Sequence, residues 1–560
     1  MADHQTLTGI GVSVGTAHGP VVQVRPAPKP PAGEEPTTDA AAAGGKVREA
    51  MAEVAASLTE RASRADDHAK PILEAGAMMA QDPGLAQGID KHLAEGKGIT
   101  NAVNDATEEY CAMFESLGGY MAERVTDLRD VRDRTIARLL GVPEPGVPDL
   151  EEPSILVALD LAPAETATLT PTTTLGIITQ AGGATSHTAI LAAQLGIPAV
   201  VQVAGALDIP KGTDVAIDGG VGEVIVSPTD AEKEQLAERS RRRAAALSNV
   251  RGHGVTKDGT RVQLLANIGT AEDAERAAAE DCEGVGLFRT EVLFLDSDTA
   301  PTLEEQQETY ERVFRAFGDR KVVVRTLDAG ADKPLAFANL GEEENPALGV
   351  RGLRLQRRRT DLLETQLDAL AAAQQATGGN VWVMAPMVAI REEAQFFADQ
   401  CRKHGIKVAG TMIEVPAAAI RSTDILEVCD FASLGTNDLS QYTFAADRMQ
   451  GELAGLLGIW QPALLDIIKL ACDGGRITGK PIGVCGEAGG DPLLALVLCG
   501  LGVSSLSMAV GKIKAVKTAL RLHDLGTCQR MADAARRAKD AKDARQAVID
   551  LAHPVMLDLI

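Results

Sequence analysis

The sequence predicts a multidomain α/β protein: an α/β domain carrying an all-helical insertion, followed by a C-terminal (β/α)8 barrel. Three observations point there. The chain has 560 residues, too many for one ordinary domain. A helical block, from about 38 to 141, sits between two proline-rich stretches, Pro26–Pro36 and Pro143–Pro153, with strand-like sequence on either side. From 255 onward roughly eight strand-like runs alternate with helical ones, the pattern of a (β/α) barrel. A doubly wound open sheet is the competing reading, and no Gly-x-Gly-x-x-Gly opening favours it.

Taken in order, Gly9-Ile-Gly-Val-Ser-Val-Gly15 leading into Val21-Val-Gln-Val24 reads as short strands with glycine turns. The insertion is Ala-, Glu- and Arg-rich with helical spacing, as in Val47–Arg64 and Tyr120–Leu140, and breaks near Pro83, Gly96 and Gly118. Apolar, β-branched runs return at Ile155–Ala158, Leu175–Thr179, Ala199–Val203 and Val215–Val226. Pro228 to about Asn249 is charged and Ala-rich, a connecting helix that is either exposed or packed on the next domain. The eight later runs are Gln263–Ile268, Gly284–Phe288, Lys321–Leu327, Val381–Pro386, Val408–Ile413, Phe431–Gly435, Pro481–Val484 and Ser504–Ser507.

Composition removes several classes of function. Lys plus Arg number 55 against 78 Asp plus Glu, a net charge of −23, which argues against a nucleic-acid binder or a partner of anionic membranes. An anionic substrate would need a local Arg or Lys cluster. The longest clean apolar run, Leu493–Val503, is too short to insert across a membrane. The N-terminus lacks the basic and apolar regions of a secretory signal. Eight cysteines without a C-x-x-C indicate neither a disulfide framework nor a zinc site. A cytoplasmic location is expected.

In a barrel the chemistry gathers at the C-terminal ends of the strands. Those ends carry Asn267, Arg289, Arg325 with Asp328, Met387, Glu414, Asn437 with Asp438, and Cys485. Arg289 and Arg325 offer planar donors for phosphate or carboxylate. Glu414 and Asp438 are hard oxygen ligands suited to Mg²⁺. Cys485 lies between Gly483 and Gly486, which would let a substrate approach closely. Singly, each has a plainer meaning: a surface ion pair, a helix cap or an inert buried thiol. One barrel mouth would collect them all. A second constellation, Gly182-Gly-Ala-Thr-Ser-His187, follows a strand and opens a helix. Helix N-terminal amides there would favour a bound anion and a neutral, nucleophilic imidazole, with Thr185 and Ser186 as further donors. A histidine that merely caps the helix is the plainer reading of the residue type alone.

These segments carry a specific resemblance. Gly183-Ala-Thr-Ser-His187-Thr-Ala-Ile with Gly196-Ile-Pro-Ala199 resembles the phosphohistidine segment of the phosphoenolpyruvate-utilising enzymes. Gly284–Glu291, Val324–Asp328, Glu344–Gly349, Thr411–Ala417, Gly435–Tyr442 and Val484–Glu487 resemble that family's barrel motifs, in order. The opening Gly9-Ile-Gly-Val-Ser13 and the helical Glu123–Arg132 are similar to its Enzyme I branch, at the head of the phosphoenolpyruvate:sugar phosphotransferase system. The resemblance implies a phosphohistidine α/β domain over 1–29 and 143–228 and a helical insertion over 30–142. A connecting helix over 229–252 and a barrel over 253–560 follow.

The resemblance also implies a relay. Phosphoenolpyruvate would bind at the barrel mouth with Mg²⁺, and its phosphoryl group would pass to His187 and then to the phosphocarrier protein HPr. Arg289 and Arg325 would hold the phosphoryl group, and Glu414 and Asp438 the metal. Asn437, Arg448, Lys333 and Arg351 would complete the clamp, and Cys485 would protonate the enolate carbon. The insertion would bind HPr, and the barrel would form a homodimer. The sequence departs from the family pattern at Ala184, at Ala331 before Asp332 and Lys333, and over Met449–Trp460. An ATP-using dikinase or synthase would need a nucleotide-binding domain, which the residues before His187 do not supply. An inactive paralogue would not be expected to keep His187, Glu414, Asp438 and Cys485.

Overall fold

The computed structural model describes residues 3–560 except 65–68, 118–123, 149, 151, 162–168, 184–186, 249, 295–298, 331–334, 339–340, 342 and 449. The chain forms two compact units, Met1–Ser240 and Arg241–Ile560.

The first unit holds a mixed sheet of eight strands among the described residues: β1 Gln5–Thr8, β2 Ile10–Ser13, β3 Thr16–Gln23, β4 Ser154–Ala158, β5 Thr174–Thr179, β6 Ala199–Val201, β7 Asp214–Asp218 and β8 Glu223–Val226. Their order is β1-β8-β7-β3-β4-β5-β6-β2. The run read as one strand, Val215–Val226, is a hairpin. Gly222 at φ +77 supplies the left-handed residue of its turn, and a Cβ on Gly219 would lie 2.0 Å from Ser13 O. β3 pairs parallel with β4, although the helical insertion separates them in sequence. Val21, Ile155, Val157, Ile178 and Val200 form the core beneath.

The insertion comprises, among the described residues, helices Ala40–Arg64, Ala69–Met79, Pro83–Ala94, Ile99–Leu117 and Val125–Leu140. Asp82 caps the third, accepting from Leu85 N–H with Pro83 in the first turn. Gly141, at φ 64, ends the last. Gly118 and Tyr120, read above as a break and a helix start, lie outside the described residues. Glu34 in the proline-rich stretch accepts from the N–H groups of Thr100 and Asn101, so it serves as a distant N-cap for the fourth helix.

Helix Asp230–Ser248 is largely polar and exposed. Leu236 is its buried residue and packs with Ala216 and Ile225. Ala246 and Leu247 near its other end pack against the barrel core. Both readings of this segment therefore hold in part: an exposed shaft with a short apolar anchor near each end.

The second unit is a closed parallel barrel of β9 Gln263–Ile268, β10 Gly284–Arg289, β11 Lys321–Arg325, β12 Val381–Ala385, β13 Ala409–Ile413, β14 Phe431–Leu434, β15 Ile482–Val484 and β16 Ser505–Met508. Pairing of β16 with β9 closes it and excludes the open-sheet alternative. Helix starts on the outside are capped as their sequences suggest, with capping boxes at Thr270/Asp273 and Thr302/Glu305. Each strand buries apolar side chains against the helix layer, which leaves the strand ends free to carry polar groups. Among the described residues no helix is long and apolar enough to cross a membrane.

Candidate active site

A cavity of 440 Å³ opens where the barrel strands end. Arg289 and Arg325 reach it as the last residues of β10 and β11, and Glu414 as the residue after β13. Asn437, Asp438, Arg448 and Cys485 also line it, with Glu291 and Asp328. Asn437 and Asp438 stand in the first turn of helix Thr436–Phe444, because the helix begins one residue past Gly435.

Arg325 is the electrostatic centre. Only 5% exposed, it pairs with Glu291 and holds Asp328 at 3.1 Å, with Glu414 Oε1 at 3.9 Å. Burial opposes its charge, but Glu291, Asp328 and Glu414 outweigh that and hold the guanidinium protonated. Arg289 is exposed at the mouth.

Arg351 does not line this cavity. It is 1% exposed and spans from Asp328 at 3.3 Å to Asp438 Oδ1 at 3.2 Å. It holds, from behind the wall, two carboxylates that do face the cavity. Arg448 reaches Asp438 Oδ2 at 3.5 Å from the solvent side. Lys333 lies outside the described residues, as do Ala331 and Met449.

Glu414 is fully buried. Its Oε2 accepts from the Met387 N–H at 2.9 Å, while Oε1 has no hydrogen-bond donor. Burial first, then Asp438 and Asp328, push its pKa well above the ordinary carboxylate range. A buried carboxylate oxygen without a donor, next to a second carboxylate, fits a hard dication. Among the described residues no three metal-ligating side chains converge, so such a cation would take ligands from water and substrate as well. Mg²⁺ typically does so.

Cys485 follows β15, 1% exposed, with its thiol 3.5 Å from Leu434 O. Burial pushes the thiol up to about 11, with Ser433 and the two arginines opposing, so it is protonated at neutral pH. Of the flanking glycines, Gly486 lines the cavity, and neither position has room for a side chain. A Cβ on Gly483 would lie 2.5 Å from Ser505 Oγ, and one on Gly486 2.0 Å from Thr436 Oγ1, so neighbouring strands and turns take the room. Asn267 donates to Cys485 O at 3.2 Å and accepts from the Ser507 hydroxyl, bracing the Cys485 backbone.

His187 opens helix His187–Leu195 in the first unit. Thr188 beside it is buried and donates to Asp160 Oδ1 at 3.1 Å, which ties the helix start to the end of β4. Ala184, Thr185 and Ser186 lie outside the described residues.

Three stretches of the chain match domains of PEP-utilising enzymes: the N-terminal domain over 8–124, the mobile domain over 150–222 and the PEP-binding domain over 243–525. Over 545 residues the chain is 51% identical to the phosphoenolpyruvate-protein phosphotransferase of Streptomyces coelicolor, covering 97% of this chain and 98% of that protein. The chain belongs to the phosphoenolpyruvate-utilising enzyme family. Proteins of the same name from Haloferax volcanii and Enterococcus faecalis are each 37% identical, over 94% and 86% of this chain and 96% and 87% of their own.

For a phosphoenolpyruvate-utilising enzyme, the residues without an assigned role in the sequence reading are informative. Glu291 and Asp328 carry the charge balance of Arg325, and Glu487 lines the cavity with its N–H on Asn437 Oδ1 at 3.3 Å. The signal for the first two was a rule: an arginine at the end of a buried strand needs carboxylates. Both stand within three residues of an arginine already singled out.

Proposed function

We propose that this enzyme takes the phosphoryl group of phosphoenolpyruvate onto His187 and passes it to HPr, the first step of a sugar phosphotransferase system. The observation that carries this reading is the barrel mouth, where Arg325, held charged by buried carboxylates, lines one cavity with Cys485 and with Glu414, whose Oε1 lacks a hydrogen-bond donor. Those are the groups needed to hold a phosphoryl group, a metal and a proton donor.

Arg289 and Arg325 hold the phosphoryl oxygens, and Asn437 and Arg448 orient the carboxylate. Glu414 and Asp438 are the residues that would hold Mg²⁺, which when bound neutralises charge on the substrate oxygens. Arg448 leaves Asp438 for the substrate, while Arg351 keeps Asp438 and Asp328 in place from behind. The P–O bond breaks as His187 takes the phosphoryl group, leaving the enolate of pyruvate. Cys485 gives its proton to the enolate carbon, and the thiolate regains one from solvent. A thiol held protonated suits that role.

The relay requires the unit bearing His187 to visit the barrel mouth and then the carrier, turning on the segments near 145–155 and 228–252. We assign 1–29 and 143–228 to the phosphohistidine domain, 30–142 to HPr binding, 229–252 to the connecting helix and 253–560 to phosphoenolpyruvate binding and homodimer formation in the cytoplasm.

The test is acid-labile ³²P incorporation from phosphoenolpyruvate without ATP, followed by chase into HPr. The wild-type chain should label and then lose label to HPr, and His187→Ala should stay unlabelled while folded. Label retained in His187→Ala, or label drawn from ATP, would overturn the assignment.

A further inference from the structure

The turn between Arg325 and Asp328 is held by an arrangement that no step above uses. Thr326 N–H still donates to Met384 O at 3.0 Å, the last rung of β11. Leu327 lies beyond the ladder, and both of its peptide groups are met by side-chain amides. Its N–H donates to Gln366 Oε1 at 2.9 Å, and its C=O accepts from Gln356 Nε2 at 2.6 Å. These backbone partners fix which end of each amide is oxygen and which is nitrogen.

The remaining amide atoms extend the grip. Gln366 Nε2 donates to Thr290 Oγ1 at 3.0 Å, and Thr290 donates to Arg325 O at 2.8 Å. Gln356 Oε1 accepts from Thr326 Oγ1 at 3.2 Å. Residues 325, 326 and 327 are thus each tied, directly or through Thr290, to one of two glutamines. The Leu327 side chain is locked as well, in an apolar cluster with Phe294, Leu355 and Leu362.

Both glutamines are 1% exposed. They come from separate helices, Leu353–Arg358 and Thr360–Thr377, whose other buried positions are almost all Leu or Ala. Two primary amides in such a setting are costly unless fully bonded, and a bonded network specifies one geometry. That geometry belongs to the peptide between Arg325 and Asp328, the pair at the centre of the mouth.

We propose that Gln366 and Gln356 are positioning residues for phosphoryl transfer: together they clamp the Leu327 peptide and so aim Arg325 and Asp328 into the cavity. The inference rests on the phosphoenolpyruvate reading above. Loosening the clamp leaves Arg289, Asn437, Arg448, Glu414 and Asp438 in place, so substrate still binds. What is lost is the alignment of Arg325, and misplacement by about 1 Å costs on the order of 10²-fold in rate.

The test uses the full chain with Gln366→Met, Gln356→Met and, as a stability control, Tyr310→Phe. Tyr310 OH accepts from Gln366 Nε2 at 3.1 Å but touches neither Leu327 peptide group through the hydrogen bonds above. Phosphoenolpyruvate-dependent phosphorylation and Tm are measured for each. The two Met variants should lose about ten- to a hundredfold in kcat with KM for phosphoenolpyruvate within about threefold. Tyr310→Phe should lose Tm and keep kcat. Folded Met variants with normal kcat, a rise in KM alone, or an equal kcat loss in Tyr310→Phe would each overturn the clamp. If one Met variant does not fold, the other reads the same peptide from its opposite side. A wild-type chain that takes no label from phosphoenolpyruvate would overturn the functional reading instead.

Discussion

Gly435→Ala places a single methyl group against Glu414. The backbone at Gly435 has φ −88 and ψ 82, which alanine adopts without penalty, so any effect comes from contact. A Cβ there would lie 2.7 Å from Glu414 Cγ, 2.9 Å from Glu414 Oε1 and 2.9 Å from Met412 Cε. Ordinary contact begins at 3.4 Å, so the Glu414 side chain must retreat by about 0.7 Å, or Gly435 must. Glu414 has little room to yield, being fully buried with its other oxygen on the Met387 N–H. Overpacking of this kind costs about 1–3 kcal/mol in stability. The larger effect should be functional. If Glu414 holds the metal as proposed, a displacement approaching 1 Å lowers the rate on the order of 10²-fold. The assay is phosphoenolpyruvate-dependent phosphorylation over a Mg²⁺ titration, with Tm measured in parallel. Gly435→Ala should need more Mg²⁺ and more phosphoenolpyruvate together. Gly511→Ala, where an added Cβ meets nothing within 4 Å, is the silent control. A folded Gly435→Ala with the wild-type dependence on both would remove Glu414 from the metal site.

Other outcomes follow from the same geometry. Cys485→Ala should leave phosphoenolpyruvate binding within about threefold and slow deuterium incorporation into the pyruvate methyl group by about 10²–10⁴-fold. Normal ketonisation in that variant would make Cys485 a packing residue. Arg351→Met leaves Asp328 with Arg325 and Asp438 with Arg448, and should cost up to about 3–5 kcal/mol, read as a lower Tm. If Arg351→Lys keeps Tm but raises KM more than tenfold, Arg351 contacts substrate after all. Burial lowers the His523 pKa below its ordinary 6.5, and the ring must be neutral to accept from the His553 N–H at 2.9 Å. The unfolded chain therefore binds this proton first, so the stability it contributes is present above pH 6.5 and is lost as pH falls below that value. His523→Gln should flatten the fall in Tm between about pH 7.5 and 5.5, and an unchanged slope refutes the assignment.

Much of the fold was legible because strands and helices write their periods into the chain. All eight barrel runs appear within about two residues of their expected ends, since each is a short, largely apolar stretch between helical segments. The hairpin at 214–226 was not, because Gly219 and Gly222 sit inside what reads as one apolar run. The strand-end rule placed Arg289, Arg325, Glu414 and Cys485 at one mouth from sequence order alone, and the cavity contains them. It could not give the partners of an arginine that ends no strand. Arg325 ends a strand run and lines the mouth, whereas Arg351, which only the family resemblance offered, bridges two carboxylates beside it.

The sequence by itself determined the element order, the barrel pattern and the chemical types gathered at its mouth, because these depend on local periodicity and on which strand end a residue follows. Closure of the barrel, the partners of each charge and the protonation of Glu414 and Cys485 were decided by tertiary structure. Closure depends on β9 meeting β16 across more than two hundred residues of chain. A pKa depends on the charges and the dielectric within a few ångströms, and here those come from strands far apart in sequence. The same holds for the Leu327 peptide, whose two amide partners lie 29 and 39 residues downstream and meet it only once their helices have packed against the barrel.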